Sequence, residues 1–310
     1  MKLFYSPDFV GSSYSFDTTR KSKWIADSLI RRPIEGVELT RPRSLTSAQI
    51  AQVHDADYVR AVTTGEPREL ADSQGFDWDE GLMSMVQATN GGVVEAALAA
   101  LRDGVAGSLS SGLHHARRHS GAGFCTFNGL VLAAHAALAA GARTVLIVDL
   151  DAHCGGGTAS LIEDDPRIWQ VDVSVDMYDI YRDTDRAKLT EVTESECYVL
   201  EIGQALSRIE RLGPDFDLVL YNAGMDPYEG CPVGGLDGVT ADVLAAREQS
   251  VFQWCHARRI PIAFVLAGGY VGPRLDEDLL VDLHRSTITA AVNQSTPKCH
   301  WHRFTPGGRR

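Results

Sequence analysis

In the strand expected over 144–150, Thr144-Val-Leu-Ile-Val-Asp-Leu150, residues 145–148 are apolar at successive positions, not at alternate ones. A strand that buries one face alternates, whereas an unbroken run suits a parallel sheet covered by helices on both sides. The run continues as Asp149-Leu-Asp-Ala-His153. Side chains alternate along a strand, so positions 149, 151 and 153 project the same way. Two carboxylates and an imidazole are thus delivered to the C-terminal edge of a strand, where open α/β sheets bind ligands. Burying such a cluster is costly unless its charge is neutralised, and a metal cation does that directly.

The same pattern recurs along the chain. Short apolar strands are expected at Lys2–Tyr5, Gly104–Ser111, Arg167–Val175, Asp217–Tyr221 and Ile260–Leu266. Helical periodicity marks Lys21–Leu29, Ser47–Val62, Leu82–Arg102, Asn128–Ala140, Glu196–Arg211 and Thr240–Arg258, a further helix is expected from the Gly155–Gly157 turn through about Glu163, and Leu275–Asn293 ends the fold. The stretch Gly65–Glu80, rich in Gly, Pro and Asp, reads as a long loop. Strands alternate with helices, and no Pro/Gly/Ser linker divides the chain. The expectation is a single-domain α/β fold over residues 1–293, a parallel β-sheet with helices on both faces, and a C-terminal tail at 294–310. The polar clusters at 112–125, 149–153, 222–226 and 267–270 each follow a strand, which places them on one rim.

Charge and cysteine usage narrow the partners. The formal net charge of the 310 residues is −12, which disfavours nucleic acid and anionic membranes and favours cationic substrates. No segment approaches the ~18 consecutive apolar residues of a membrane span. The six cysteines are scattered without a CxxC pair, the pattern of reduced thiols in a cytoplasmic protein.

Asp151, His153 and Asp226 are candidate metal ligands, since Zn²⁺ accepts carboxylate oxygen and imidazole nitrogen and can keep one position open. At a strand–helix turn Asp151 and His153 could equally be capping residues; a carboxylate at a second strand end favours the metal. The adjacent His114 and His115 sit in a loop, where both can face one site as a base and its electrostatic partner; a solvated turn is the alternative. Tyr270 follows two glycines at a strand end, and its phenol is a candidate oxyanion donor, or else a core aromatic. Gly155-Gly156-Gly157-Thr158 lacks the Gly-Lys-Ser/Thr of a phosphate-binding loop and reads as a tight turn.

In order along the chain, Ser111-Gly-Leu-His114-His115-Ala, Gly123-Phe-Cys-Thr-Phe-Asn128, Asp149-Leu-Asp151-Ala-His153, Asn222-Ala-Gly-Met-Asp226-Pro and Ala267-Gly-Gly-Tyr270 resemble the zinc-dependent histone deacetylase family, of the arginase/deacetylase fold. Val53-His-Asp-Ala-Asp-Tyr-Val59 resembles the early helix of that family. The resemblance runs from about residue 2 to 292. It implies one Zn²⁺ per chain on Asp151, His153 and Asp226. It implies His115 as general base and then acid toward the leaving amine, with His114 the second histidine and Asp149 its carboxylate partner. Tyr270 would polarise the acyl carbonyl. Gly123 and Phe124 would line the acyl tunnel, with Tyr181 opposite, and Ser174 and Val175 would lie near a structural K⁺.

Two departures from the family pattern bear on function. Many members carry an acidic or amide residue where Gly156 stands, and it orients one of the paired histidines; glycine cannot, so His115 is expected either to be less basic or to be held by water or another group. Gly155 replaces the aspartate that a two-metal ureohydrolase would need. The leading expectation is an amidohydrolase of an acyl-lysine or a small acylated amine. A non-catalytic acyl-lysine-binding protein and a ureohydrolase are the alternatives.

Overall fold

The computed structural model describes residues 1–12 and 17–294, and the expected tail from 295 to 310 lies outside the described residues. In chain order the strands are β1 (Lys2–Phe4), β2 (Glu38–Thr40), β3 (Val105–Ser108), β4 (Val145–Asp149), β5 (Ile168–Ser174), β6 (Ala187–Glu191), β7 (Leu218–Gly224) and β8 (Ile262–Ala267). They form one eight-stranded sheet in the order β2-β1-β3-β8-β7-β4-β5-β6, and every pairing is parallel. Helices α1 (Asp17–Arg31), α2 (Ser47–Ile50), α3 (Ala56–Thr64), α4 (Arg68–Ala71), α5 (Leu82–Asp103), α6 (Gly129–Ala139), α7 (Gly156–Ile162), α8 (Tyr198–Leu212), α9 (Ala241–Arg258) and α10 (Glu277–Gln294) connect them.

The central strands show why their sequences carry no alternation. Val145 and Ile147 of β4 pack into one core with α3, α5 and α6, while Leu146 and Val148 pack into another with α1, α8, α9 and α10. The period of two distributes the run between two apolar layers, so every position must be apolar. The edge strands β2 and β6 were not expected from the sequence. Glu38-Leu-Thr40 and Ala187-Lys-Leu-Thr-Glu191 are short and polar, as sheet edges exposed to water tend to be.

Two further expectations need correction. Ser47–Val62 is not one helix. Thr46 and Gln49 form a capping box that starts α2, which ends at Ile50, and α3 begins only at Ala56. The intervening turn buries Val53 and His54, which keeps the apolar spacing running through a break. The stretch 65–80 is not all loop, because it contains the short α4.

Candidate metal and acid–base site

The site lies beyond the C-terminal ends of β3, β4, β7 and β8. Asp149 ends β4, and Asp151 and His153 follow in the turn before α7. Asp226 follows β7 by two residues, and Tyr270 follows β8 by three. The Asp151–His153 turn is anchored from the next strand, since the N–H groups of Val175 and Asp176 donate to Ala152 O at 2.9 and 2.8 Å. Ser174 also lies against this turn, with its hydroxyl donating to Asp172.

Asp151, His153 and Asp226 are all buried, and one ligand atom from each lies within 4.8 Å of the others. His153 Nδ1 is 3.0 Å from Asp151 Oδ1 and 3.1 Å from Asp226 Oδ2. Asp226 Oδ2 nonetheless has no well-aligned hydrogen-bond donor. A buried carboxylate oxygen left short of a donor, beside a second carboxylate and an imidazole, is a donor set that suits a cation of the Zn²⁺ type. Burial opposes charge on His153, but its bonds to the two carboxylates push the ring up to about 11. A bound cation would supply that positive charge instead and take the neutral imidazole as ligand. Among the described residues this is the one group of three such side chains.

The histidine pair faces this cluster with the two ring centroids 3.9 Å apart. His114 Nδ1 is 2.7 Å from Asp149 Oδ2, and its Nε2 is 3.6 Å from Asp151 Oδ1. Burial works to discharge His114, but Asp149 and Asp151 push it up to about 10. His115 goes the other way. Burial, then the charge of His114, push it down to about 4, against the opposing effect of a hydrogen bond to Asp179. The two rings thus separate into a cation and a neutral base, the division that acid–base chemistry near neutral pH needs.

Of the alternatives left open by Gly156, the structure shows another group behind His115. His115 does have a carboxylate partner: its Nδ1 is 3.0 Å from Asp179 Oδ2. Asp179 belongs to the loop after β5 and also pairs with Arg117. A Cβ built on Gly156 would meet the Asp179 main-chain oxygen at 2.2 Å and its carboxylate at 2.7 Å, so residue 179 fills the space that a side chain at 156 would need.

The aromatic residues around the histidine pair differ from expectation in one position. Phe124 stacks on Phe76 at 5.5 Å and lies 6.2 Å from the Tyr270 ring, and Gly123 backs against the His115 ring. Tyr181 does not stand opposite. It packs against the core on the α5–α6 side, with its hydroxyl buried. Tyr178 takes the place instead, edge-on to His115 and His153 at 5.0 and 6.0 Å. Tyr270 is held neutral, because burial and the charges of Asp226 and Asp151 push its phenol well above the usual range.

Sequence reasoning also missed Lys21. This α1 residue is fully buried and donates to Gly268 O at 2.5 Å. Burial pushes it down to about 8, against the pull of Asp226 and Asp151. In the sequence it is one of several basic residues on an amphipathic helix, with nothing to distinguish it. Gly268 itself must be glycine: its φ is +54°, and a Cβ there would lie 2.3–2.6 Å from the Asp226 carboxylate.

Known proteins resemble this chain in sequence and in fold. The family model described as Histone deacetylase domain matches residues 16–281. An uncharacterized protein of Picosynechococcus sp. is 32% identical over 244 residues, spanning 76% of this chain and 80% of that protein. Histone deacetylase 2 of Arabidopsis thaliana is 28% identical over 276 residues, spanning 82% of this chain and 70% of its own length. The crystal structure of acetylpolyamine aminohydrolase from Burkholderia pseudomallei matches with a TM-score of 0.76 at 21% identity, covering 94% of this chain and 98% of that one. Among the described residues no helix is long and apolar enough to cross a membrane.

Proposed function

Because the chain belongs to the histone deacetylase family and is a hydrolase acting on amide C–N bonds, we propose that it removes an acyl group from an acylated amine with one Zn²⁺ as cofactor. The observation that carries the reading is the buried Asp151–His153–Asp226 group set beside a neutral His115 and a charged His114. Zn²⁺ on that group would act as a Lewis acid, polarising the acyl carbonyl and acidifying water. His115, neutral at Nε2, takes the proton of the attacking water and later returns it to the departing amine. His114, held cationic by Asp149, offsets negative charge as it develops; a cation on Asp151 would weaken part of that support. The Tyr270 phenol donates a hydrogen bond to the carbonyl oxygen as it becomes an oxyanion. Phe124 and Tyr178 hold the apolar stem of the substrate between them.

A ureohydrolase reading is disfavoured by the single three-residue metal group among the described residues. The substrate's amine portion is proposed to be either a lysine side chain or a small polyamine, of which the polyamine keeps cationic nitrogens beyond the acylated one. The net charge of −12 supports this, and the related fold of acetylpolyamine aminohydrolase makes the small molecule worth testing first. The test is a panel of acyl-lysine peptides and acylpolyamines assayed with and without a chelator, alongside elemental analysis. The reading expects about one Zn²⁺ per chain, hydrolysis abolished by the chelator, and no activity in Asp226→Ala. Two metals per chain, or full activity without metal, refutes it.

A further inference from the structure

The carboxylate that meets His115 comes from an unexpected part of the chain. Asp179 sits in the loop after β5, between Tyr178, which is 49% exposed, and Ile180, which is 62% exposed. The side chains of Asp179 and His115 are themselves only 8% and 5% exposed. The loop therefore turns one residue inward while its neighbours form the rim and a wall of the tunnel. To do so, Asp179 takes a left-handed backbone conformation with φ of 59°, which non-glycine residues adopt at some cost.

Two further contacts hold that carboxylate in place. Gly157 N–H donates to its Oδ2 at 3.0 Å. The Arg117 guanidinium pairs with its Oδ1 and also donates to Gly156 O at 3.2 Å. The close approach at Gly156 leaves room there for no other side chain. The carboxylate is an acceptor, so the His115 proton resides on Nδ1 and the lone pair on Nε2. Fixing that tautomer and ring orientation is what a carboxylate behind a catalytic imidazole contributes.

We propose that Asp179 is the positioning residue for His115, supplied by the tunnel-wall loop through the space that Gly156 leaves open. The inference deepens the proposed hydrolase reading and rests on it for the role of His115. One loop then performs two tasks. Tyr178 meets the substrate, and the next residue holds the base.

The test combines kinetics with a readout that needs no substrate. In the zinc-loaded, ¹⁵N-labelled protein, the His115 Nδ1–H should give a slowly exchanging imidazole resonance, assigned by its loss in His115→Ala. Asp179→Ala should lose that resonance while the one from His114 remains. Asp179→Asn is isosteric and keeps an acceptor but no charge. It should lower kcat about ten- to a hundredfold, the usual effect of removing such a supporting partner, with KM within about twofold and zinc content unchanged. A His115 resonance that persists in Asp179→Ala overturns the proposal. So does an Asp179→Asn variant with wild-type kcat, or one whose loss of rate follows a loss of zinc. If the wild type hydrolyses no acylated amine, the functional reading fails, and the resonance alone decides whether Asp179 holds the ring.

Discussion

Acidification should destabilise this protein through His54, and the size of the effect follows from its contacts. His54 lies in the turn between α2 and α3 with 1% of its surface exposed. Its Nδ1 is 2.8 Å from Arg117 O, and the Asn128 N–H donates to its Nε2 at 2.9 Å. A carbonyl only accepts and an amide N–H only donates, so the ring must be neutral, with its proton on Nδ1. Protonating Nε2 would set one N–H against another. Burial, the largest effect, and the Arg118 charge push His54 down to about 4, against the Arg117 carbonyl. The folded value is below the unfolded value of about 6.5, so between the two the unfolded chain binds the extra proton. Stability is therefore fully present above about pH 6.5 and is lost as pH falls toward 4. Linkage gives a loss of about 2 kcal/mol near pH 5, with a limit of about 3 kcal/mol. The assay is urea unfolding of wild type and His54→Gln at pH 7 and near pH 5, with equal slopes checked first. Other groups titrate in both proteins, so the difference between them isolates His54. The variant should be the less stable at pH 7, and the gap should narrow by about 2 kcal/mol near pH 5. An unchanged gap refutes a neutral, doubly bonded His54. Arg117 lies two residues beyond His115, and the Asn128 amide group donates to His114 O at 3.2 Å, so activity should fall over the same window.

Further outcomes follow from other contacts. Tyr270→Phe removes one donor to the oxyanion and should lower kcat about 10²–10³-fold with KM little changed; a near-normal kcat would make Tyr270 merely structural. Gly268→Ala places a methyl against the Asp226 carboxylate at a positive φ. It should cost at least about 1 kcal/mol of stability and lower zinc content, and a variant with full zinc occupancy contradicts the close approach. Arg247 is fully buried, pairs with Glu248 at 2.5 Å and donates to Leu150 O, between two site aspartates, at 3.1 Å. Arg247→Met should cost about 3–5 kcal/mol, part of it recovered in Arg247→Met/Glu248→Leu. A loss below about 1 kcal/mol in the single variant shows that the pair is not what holds Leu150.

The sheet and the proposed metal group were legible for the same reason. Residues 145–148, 218–221 and 262–267 are buried on both faces, so each is a continuous apolar run, and the polar residues that follow stand out. Local sequence carries that signal. It does not carry Asp179, Tyr178 or Lys21. Asp179 is drawn to His115 by Arg117 and by the space at Gly156, both distant in sequence. Lys21 is buried because α1 packs beside the Gly268 turn, not because of its neighbours in the chain. Reading Gly156 alone suggested a missing carboxylate, because one position cannot reveal that another has taken over its space. The edge strands were missed for the complementary reason, since they bury too little to impose a pattern.

β8 lies between β3 and β7, with Ile262 in register with both Val105 and Val219. Among the described residues it is the last strand in sequence and nearly the middle of the sheet. Until residues 262–267 emerge during synthesis, β3 and β7 each present a row of unpaired N–H and C=O groups, the kind of edge that invites pairing with another chain. The sheet therefore closes from its centre, late, and on the β3 side through contacts between segments more than a hundred residues apart, which is a slow route to a folded state. The same insertion carries Gly268 and Tyr270 into place beside Asp226. A chain released before that point would have neither a closed sheet nor a complete reaction centre.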